Sequence, residues 1–152
     1  ALQELGLVSP KWQSVRQTFF DAVKLLPDNR LTIRAEVGEL EIFADPLLPR
    51  GFYTLLESCL RNWGTKLAAS SLTLRREKNL LFIVYEDNGP GIPAREKENL
   101  FGTGYNEGTW QGLFLVRELL GFTRITIREN GICGSGARFE IEAPADKFRL
   151  VP

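Results

Sequence analysis

Hydrophobic and polar positions alternate with two different periods along this chain of 152 residues. Trp12, Val15, Phe19, Val23 and Leu26 recur at helical spacing behind Ser9-Pro10, a capping hydroxyl with proline at the first helical position. They predict an amphipathic helix that ends near Pro27-Asp28-Asn29. From Leu31 the period drops to two. Leu31, Ile33, Ala35 and Val37 alternate with polar residues, Gly38-Glu39 turns the chain, and Leu40, Ile42 and Ala44 resume the alternation, predicting a β-hairpin. Asp45-Pro46 then opens a second helix whose apolar face is Leu48, Phe52, Leu55, Leu56, Cys59, Leu60 and Trp63, before Gly64 stops it.

Residues 71–76 and 80–86 read as a further strand pair, the second strand being the apolar run Leu80-Leu81-Phe82-Ile83-Val84-Tyr85. The stretch 102–112 carries Gly102, Gly104, Gly108 and Gly112 with few apolar anchors, the composition of a mobile loop. Leu113, Val116, Leu119 and Leu120 place a third helix directly after Gly112, with its N-terminal amides free to meet an anion. Two strands, 124–129 and 137–143, joined by a Gly-rich turn, end the pattern. Helix, two strands, helix, two strands, loop, helix and two strands imply an α+β fold: a two-layer sandwich with helices on one face of a mixed sheet. A chain of this length has the size of one domain, so residues 1–152 are expected to form a single unit.

Composition removes several classes of function. Hydrophobic residues at 43% and charged residues at 25% give the balance of a globular protein, and no apolar run approaches the ~18 residues of a membrane span. Nineteen basic residues against nineteen acidic ones, without a dense cationic cluster, argue against nucleic acid or an anionic membrane as partner. Cys59 and Cys133 are too few for a disulfide framework and lack metal-ligand spacing; both are expected as buried small hydrophobes in a reducing, cytoplasmic compartment. Histidine is absent, which removes Ser-His-Asp and Cys-His catalysis, the common zinc sites and any histidine phosphoacceptor within the chain. The start at Ala1, without Met or a signal-peptide pattern, is what a piece of a longer protein would show.

Candidate chemistry concentrates in Asp87-Asn88-Gly89-Pro90-Gly91-Ile92-Pro93, which follows the apolar strand. Glycines let a backbone approach a ligand closely, and a carboxylate at a strand end accepts a hydrogen bond from an amine or amidine edge such as that of adenine. Asn-Gly and Gly-Pro are also common turn formers, so an ordinary turn remains the alternative for this stretch alone. Two companions narrow the choice: a helix with Thr54, Ser58, Arg61 and Asn62 on one face, and a Gly-rich segment running into a helix N-terminus.

In this order the three elements resemble the ATP-binding catalytic domain of sensor histidine kinases, in the superfamily of gyrase, Hsp90 and MutL ATPases (the Bergerat-type fold). Residues 87–93 stand for the aspartate-glycine box and Glu98-Asn99-Leu100-Phe101 for the phenylalanine box. Gly108-Thr109-Trp110-Gln111-Gly112-Leu113 lies where the family usually has Gly-Thr-Gly-Leu-Gly-Leu, and Gly134-Ser135-Gly136-Ala137-Arg138-Phe139 is similar to its final glycine box. The resemblance implies that Asp87 accepts the adenine amine while Gly89, Gly91, Ile92, Phe101 and Ala137 surround the base. It also implies that a lid over 99–112, with Gly108, Thr109, Gly112 and Leu113, closes on the phosphates. No Gly-x-x-x-x-Gly-Lys-Ser/Thr occurs, so amides and a helix dipole would cradle them.

Two departures stand out. The helix expected over 46–63 should carry an asparagine box, roughly Asn-Leu-x-x-Asn-Ala-x-Lys-His, but Thr54 and Ser58 replace its asparagines. By resemblance Ser58 would hold Mg²⁺ and the phosphates through water, beside Glu57 as an acid positioning water and Arg61 as a basic phosphate contact, with Asn62 at the usual aromatic or histidine position. Mg²⁺ keeps several waters and needs few protein ligands, so weakened metal binding is the expectation. The second departure is Trp110-Gln111 for Gly-Leu, an indole that either blocks the backbone from the phosphates, closes the pocket as a flap, or is a partly solvated loop side chain. The remaining aromatics, Trp12, Phe19, Phe52, Trp63, Phe82 and Phe139, fall at core periods.

The resemblance implies an ATP-dependent kinase domain that delivers the γ-phosphoryl to a histidine on a separate dimerisation domain, with a response regulator downstream. The alternatives are a catalytically degenerate nucleotide-binding or scaffolding domain, and a serine kinase of the anti-sigma type.

Overall fold

A computed structural model describes residues 6–27, 30–102, 110 and 112–152. Its elements in chain order are β1 (Lys11–Ser14), α1 (Val15–Lys24), β2 (Thr32–Glu36), β3 (Leu40–Ala44), α2 (Leu48–Trp63), β4 (Ala69–Glu77), β5 (Leu80–Asp87), α3 (Ala94–Lys97), α4 (Leu113–Gly121), β6 (Thr126–Glu129), β7 (Arg138–Ala143) and β8 (Phe148–Leu150). A five-stranded mixed sheet has the order β2-β4-β5-β7-β6, with β2 parallel to β4 and the other pairs antiparallel. A second, antiparallel sheet has the order β1-β3-β8.

Two expectations fail at the start of the chain. The first helix begins at Val15 rather than at Pro10, because residues 11–14 pair with β3 as a strand. Ser14 is the true cap, its hydroxyl accepting from the Gln17 amide at 3.0 Å. The alternating runs 31–37 and 40–44 are strands, but not a hairpin. Gly38, at φ +54°, carries the chain from one sheet to the other, so β2 pairs with β4 and β3 with β1 and β8. The strand β8 and the short helix α3 had no counterpart in the sequence pattern.

The central helix follows its pattern. Asp45 accepts from the Leu47 amide at 2.9 Å, Pro49 sits in the first turn and Gly64 closes the end, where Arg30 donates to the carbonyls of Gly64 and Leu67. Leu48, Phe52, Leu55, Leu56 and Cys59 of α2 join Val15, Phe19 and Ala22 of α1 and Leu113, Val116 and Leu120 of α4 in one core against Leu72, Ile83, Tyr85, Phe139 and Ile141 of the large sheet. Each such aliphatic or aromatic side chain contributes about 1.5–3 kcal/mol by leaving water. The core therefore fixes the inner face of β5, and with it the position of Asp87 at that strand's end.

The other face of the large sheet is charged yet closed. Glu140 on β7 is 3% exposed and meets Arg75 at 3.2 Å, Arg128 at 2.8 Å and Arg138 at 2.9 Å. Burial alone would raise its pKa, but hydrogen bonds from Arg128, Arg75 and Asn130 and the Arg138 charge outweigh burial and lower it to about 2. Phe82, placed in the core by its period, lies on this outer face instead, buried under the Arg75 guanidinium at 4.4 Å.

Candidate functional site

Tyr85 and Asp87 are two residues apart on β5 and so share the face that meets α2. Asp87 Oδ1 accepts from the amides of Gly89 at 3.0 Å and Ala137 at 3.1 Å, and Oδ2 accepts from the Tyr85 hydroxyl at 3.1 Å. Having donated its one proton there, Tyr85 accepts from Ser70 Oγ at 3.1 Å. The Cys59 thiol on α2 completes the group, lying beside both Asp87 and Tyr85. Burial raises the Asp87 pKa, opposed by the Ala137 and Gly89 amides, the Tyr85 hydroxyl and the Cys59 thiol. The same burial pushes Tyr85 and Cys59 well above their ordinary values, with the Asp87 charge adding to it, so both stay protonated.

The two glycine boxes meet backbone to backbone. At Gly136, φ +94°, a Cβ would lie 1.9 Å from the Asp87 carbonyl oxygen, so only glycine fits. Gly91, φ +83°, sits against Cys133 Cα and the carbonyls of Ile132 and Gly136, each 3.1 Å from where a Cβ would stand. The Gly134 amide donates to the Pro90 carbonyl at 2.7 Å, and Asn88 Oδ1 accepts from the amides of Ala68 and Ala69. These contacts set Asp87, Gly89, Gly91 and Ala137 together as one cluster, with Ile92 (1% exposed) beside it in the core.

On α2 the candidates divide. Thr54 returns its hydroxyl to the Arg50 carbonyl at 2.9 Å and presents its methyl to Gly112, where a Cβ would be 2.6 Å away. Glu57 and Arg61 form an i,i+4 ion pair at 2.5 Å with both side chains about a third exposed (32% and 36%). Ser58 is 0% exposed, and Asn62 donates to its carbonyl at 2.7 Å. Phe101 meets the Phe139 ring edge-on at 6.3 Å. Gly112, φ +96°, precedes the buried Leu113; its carbonyl accepts from Leu115 and Val116, while the Leu113 amide reaches the Trp110 carbonyl at 3.4 Å. Gly108 and Thr109, with the rest of 103–109 and residue 111, lie outside the described residues.

Several participants escaped the sequence reading. Tyr85 and Cys59 look like core residues there; only the two-residue spacing of Tyr85 from Asp87 hinted at a shared face. Cys59 is buried as expected, but Cys133 is exposed, because the turn between β6 and β7 stands outside the core. Trp63 does more than fill space: its ring lies on Gly89, where a Cβ would be 2.5 Å from Cε3. Trp110, 5% exposed, packs edge-on against Trp63 at 5.6 Å and donates from Nε1 to Glu96 Oε1 at 3.1 Å.

The residues present are a poor match to Mg²⁺. Ser58 is sealed, Glu57 is ion-paired, and among the described residues no three His, Cys, Asp or Glu side chains could hold a metal ion. Among the described residues no helix is long and apolar enough to cross a membrane.

Fold and site together define an α+β domain whose candidate ligand cluster is a carboxylate at a central strand end walled by glycines. Residues 47–147 match the family described as histidine kinase-, DNA gyrase B- and HSP90-like ATPase, and the chain belongs to that family. Solved structures with the same fold include the catalytic domain of histidine kinase ThkA, with a TM-score of 0.74 at 16% identity over 91% of this chain and 97% of that one. The ATP-binding domain of PrrB from Mycobacterium tuberculosis has a TM-score of 0.70 at 18% identity over 90% of this chain and 98% of its own. Full-length ShkA in complex with AMPPNP has a TM-score of 0.72 at 19% identity, with 97% of this chain matching 32% of that chain. No curated protein sequence matches the chain.

Proposed function

We propose that this domain binds ATP through Asp87 and serves as the catalytic domain of a cytoplasmic two-component sensor histidine kinase. The observation that carries the reading is the Asp87 carboxylate, oriented by the Gly89 and Ala137 amides and enclosed by backbone that admits no side chain at Gly136. A fixed, partly desolvated acceptor of this kind needs a donor on its ligand, which the exocyclic amine of adenine supplies. The phosphoryl acceptor is a histidine on a dimerisation domain outside these residues, and a response regulator receives the phosphate next. Catalysis then consists of holding ATP in line with that histidine, because these residues include no histidine.

A specific observation favours a second reading, a nucleotide-binding domain without phosphoryl transfer. Ser58 and Thr54, at the positions expected to face metal and phosphate, have respectively no exposed surface and a hydroxyl bound within the helix.

Calorimetric titration of a non-hydrolysable ATP analogue tests the common core of both readings. Binding should be measurable in the native chain and at least tenfold weaker in Asp87→Asn, the loss of a hydrogen bond to a charged group being worth about 1.5–3 kcal/mol. Equal affinity in the two would remove Asp87 from the site. Autophosphorylation after mixing with a histidine-bearing dimerisation domain separates the kinase reading from the second one.

A further inference from the structure

We propose that Lys97 on α3 and Glu129 at the end of β6 form a strut that positions the Asp87 carboxylate for its ligand. The inference rests on the reading that the Asp87 cluster binds a nucleotide.

Glu129 is the fixed end of the strut. Its side chain is 1% exposed, and Oε2 accepts from the amides of Gly131 at 3.0 Å and Arg138 at 3.1 Å, across the base of the turn that joins β6 to β7. Backbone crowds this base: a Cβ at Gly131 would lie 2.7 Å from both Glu129 Oε2 and the Gly136 carbonyl oxygen. The Arg138 amide and the Ala137 carbonyl belong to one planar peptide unit. Glu129 holds that unit on one side, and on the other the Ala137 carbonyl accepts from the Asp87 amide at 3.2 Å. The next amide back, that of Ala137, is one of the two donors that orient Asp87 Oδ1.

Lys97 is the other end. Its ammonium meets Glu129 Oε1 at 2.8 Å and donates to the Gly131 carbonyl, and Oε1 has no other partner among the described residues. The main chain of α3 is anchored on both sides, by Ile92 (1% exposed) before it and Leu100 (2% exposed) after it. The strut therefore closes a ring that runs from Asp87 through the glycine loop and α3 to Lys97, then through Glu129 and the 137–138 peptide back to Asp87. A second tether of the same ring, from the Gly134 amide to the Pro90 carbonyl, lies in a turn whose Ile132 and Cys133 are exposed. Without the Lys97 charge, Glu129 would be a buried carboxylate lacking its cation, a costly arrangement that it relieves by turning toward water and releasing the two amides. Asp87 would then hold its binding orientation in only a fraction of molecules, and apparent affinity falls by that fraction.

The test is calorimetric titration of ADP into the native chain, Asp87→Asn, Lys97→Met, Lys97→Arg and Glu129→Gln, each below its melting temperature, with the Ala137 amide followed by NMR in the free proteins. Lys97→Met, which keeps most of the stem but not the charge, should bind ADP about tenfold more weakly and move the Ala137 resonance. Lys97→Arg, which keeps the charge, should recover most of that loss. Glu129→Gln retains an acceptor for the two amides and loses only the attraction to Lys97, so its affinity should fall about threefold; it carries the test if Lys97→Met does not fold. Native affinity and an unmoved Ala137 resonance in the folded variants, with Asp87→Asn still weakening binding, would overturn the strut and leave the nucleotide site standing, even if the melting temperatures fall. Absence of ADP binding to the native chain, or equal affinity in Asp87→Asn, would overturn both.

Discussion

The two halves of the candidate site are built on different principles. Around Asp87 the candidate site is made largely of backbone: Gly91 and Gly136 pass so close to neighbouring main chain that the position of the carboxylate is fixed by the fold itself. Around Thr54, Ser58 and the start of α4 the candidate site depends on side chains, and there a methyl, a buried hydroxyl and an indole stand where the family resemblance would have carboxamides and open amides. A half set by backbone complementarity tolerates little change, whereas one set by side chains can lose its chemistry while the fold survives.

Breaking the backbone half should have the largest effect. Gly136→Ala places a Cβ 1.9 Å from the Asp87 carbonyl oxygen at φ +94°, and should cost more than about 3 kcal/mol together with all nucleotide binding. A melt shifted by less than about 4 °C would contradict this. Tyr85→Phe removes the donor to Asp87 Oδ2 and leaves the Ser70 hydroxyl without its acceptor, at about 1–3 kcal/mol by chemical denaturation. The same variant frees a lone pair on Asp87, so nucleotide affinity should fall far less than stability does.

Two acids separate the candidate site from the opposite face by pH. Burial raises the Asp87 pKa, so on acidification nucleotide binding should fade above the ordinary aspartate range of about 3.9; titrations across pH read this directly. Glu140 has the opposite sign. Its pKa is lowered to about 2, so its contribution is fully present above the unfolded value of about 4.3 and is lost as pH falls toward 2. Glu140→Gln should therefore flatten the acid limb of the stability curve while leaving nucleotide affinity at neutral pH unchanged.

The smallest effect belongs to the side-chain half. Ser58→Asn supplies the missing carboxamide, and should introduce a few-fold enhancement of ATP-analogue binding by Mg²⁺; no enhancement would mean that one residue does not restore that half.

How legible this was in the sequence follows the same division. The pairs β4-β5 and β6-β7 were readable because each joins strands that are neighbours in sequence, and the glycines between β5 and β7 mark real constraints. The pairing of β2 with β4 and of β1 with β3 was not: alternation announces a strand but says nothing about a partner tens of residues away, and Ser9-Pro10 imitates a cap that Ser14 supplies. At the site, Asp87 and its glycines were legible as a motif. The Tyr85, Ser70 and Cys59 group was hidden because each residue has a plausible core role, and only folding brings all three to one carboxylate. Trp63 over Gly89 was hidden for the same reason, since helical spacing places an indole on a face without revealing what it covers.

The most direct test of Asp87 as the adenine acceptor is to follow the Gly89 and Ala137 backbone amides by NMR while ADP and, separately, ribose 5-phosphate, which lacks the base, are added. The account predicts that ADP shifts both resonances, because they share the carboxylate that receives the base, and that ribose 5-phosphate leaves them in place. ADP binding that moves neither amide would contradict it.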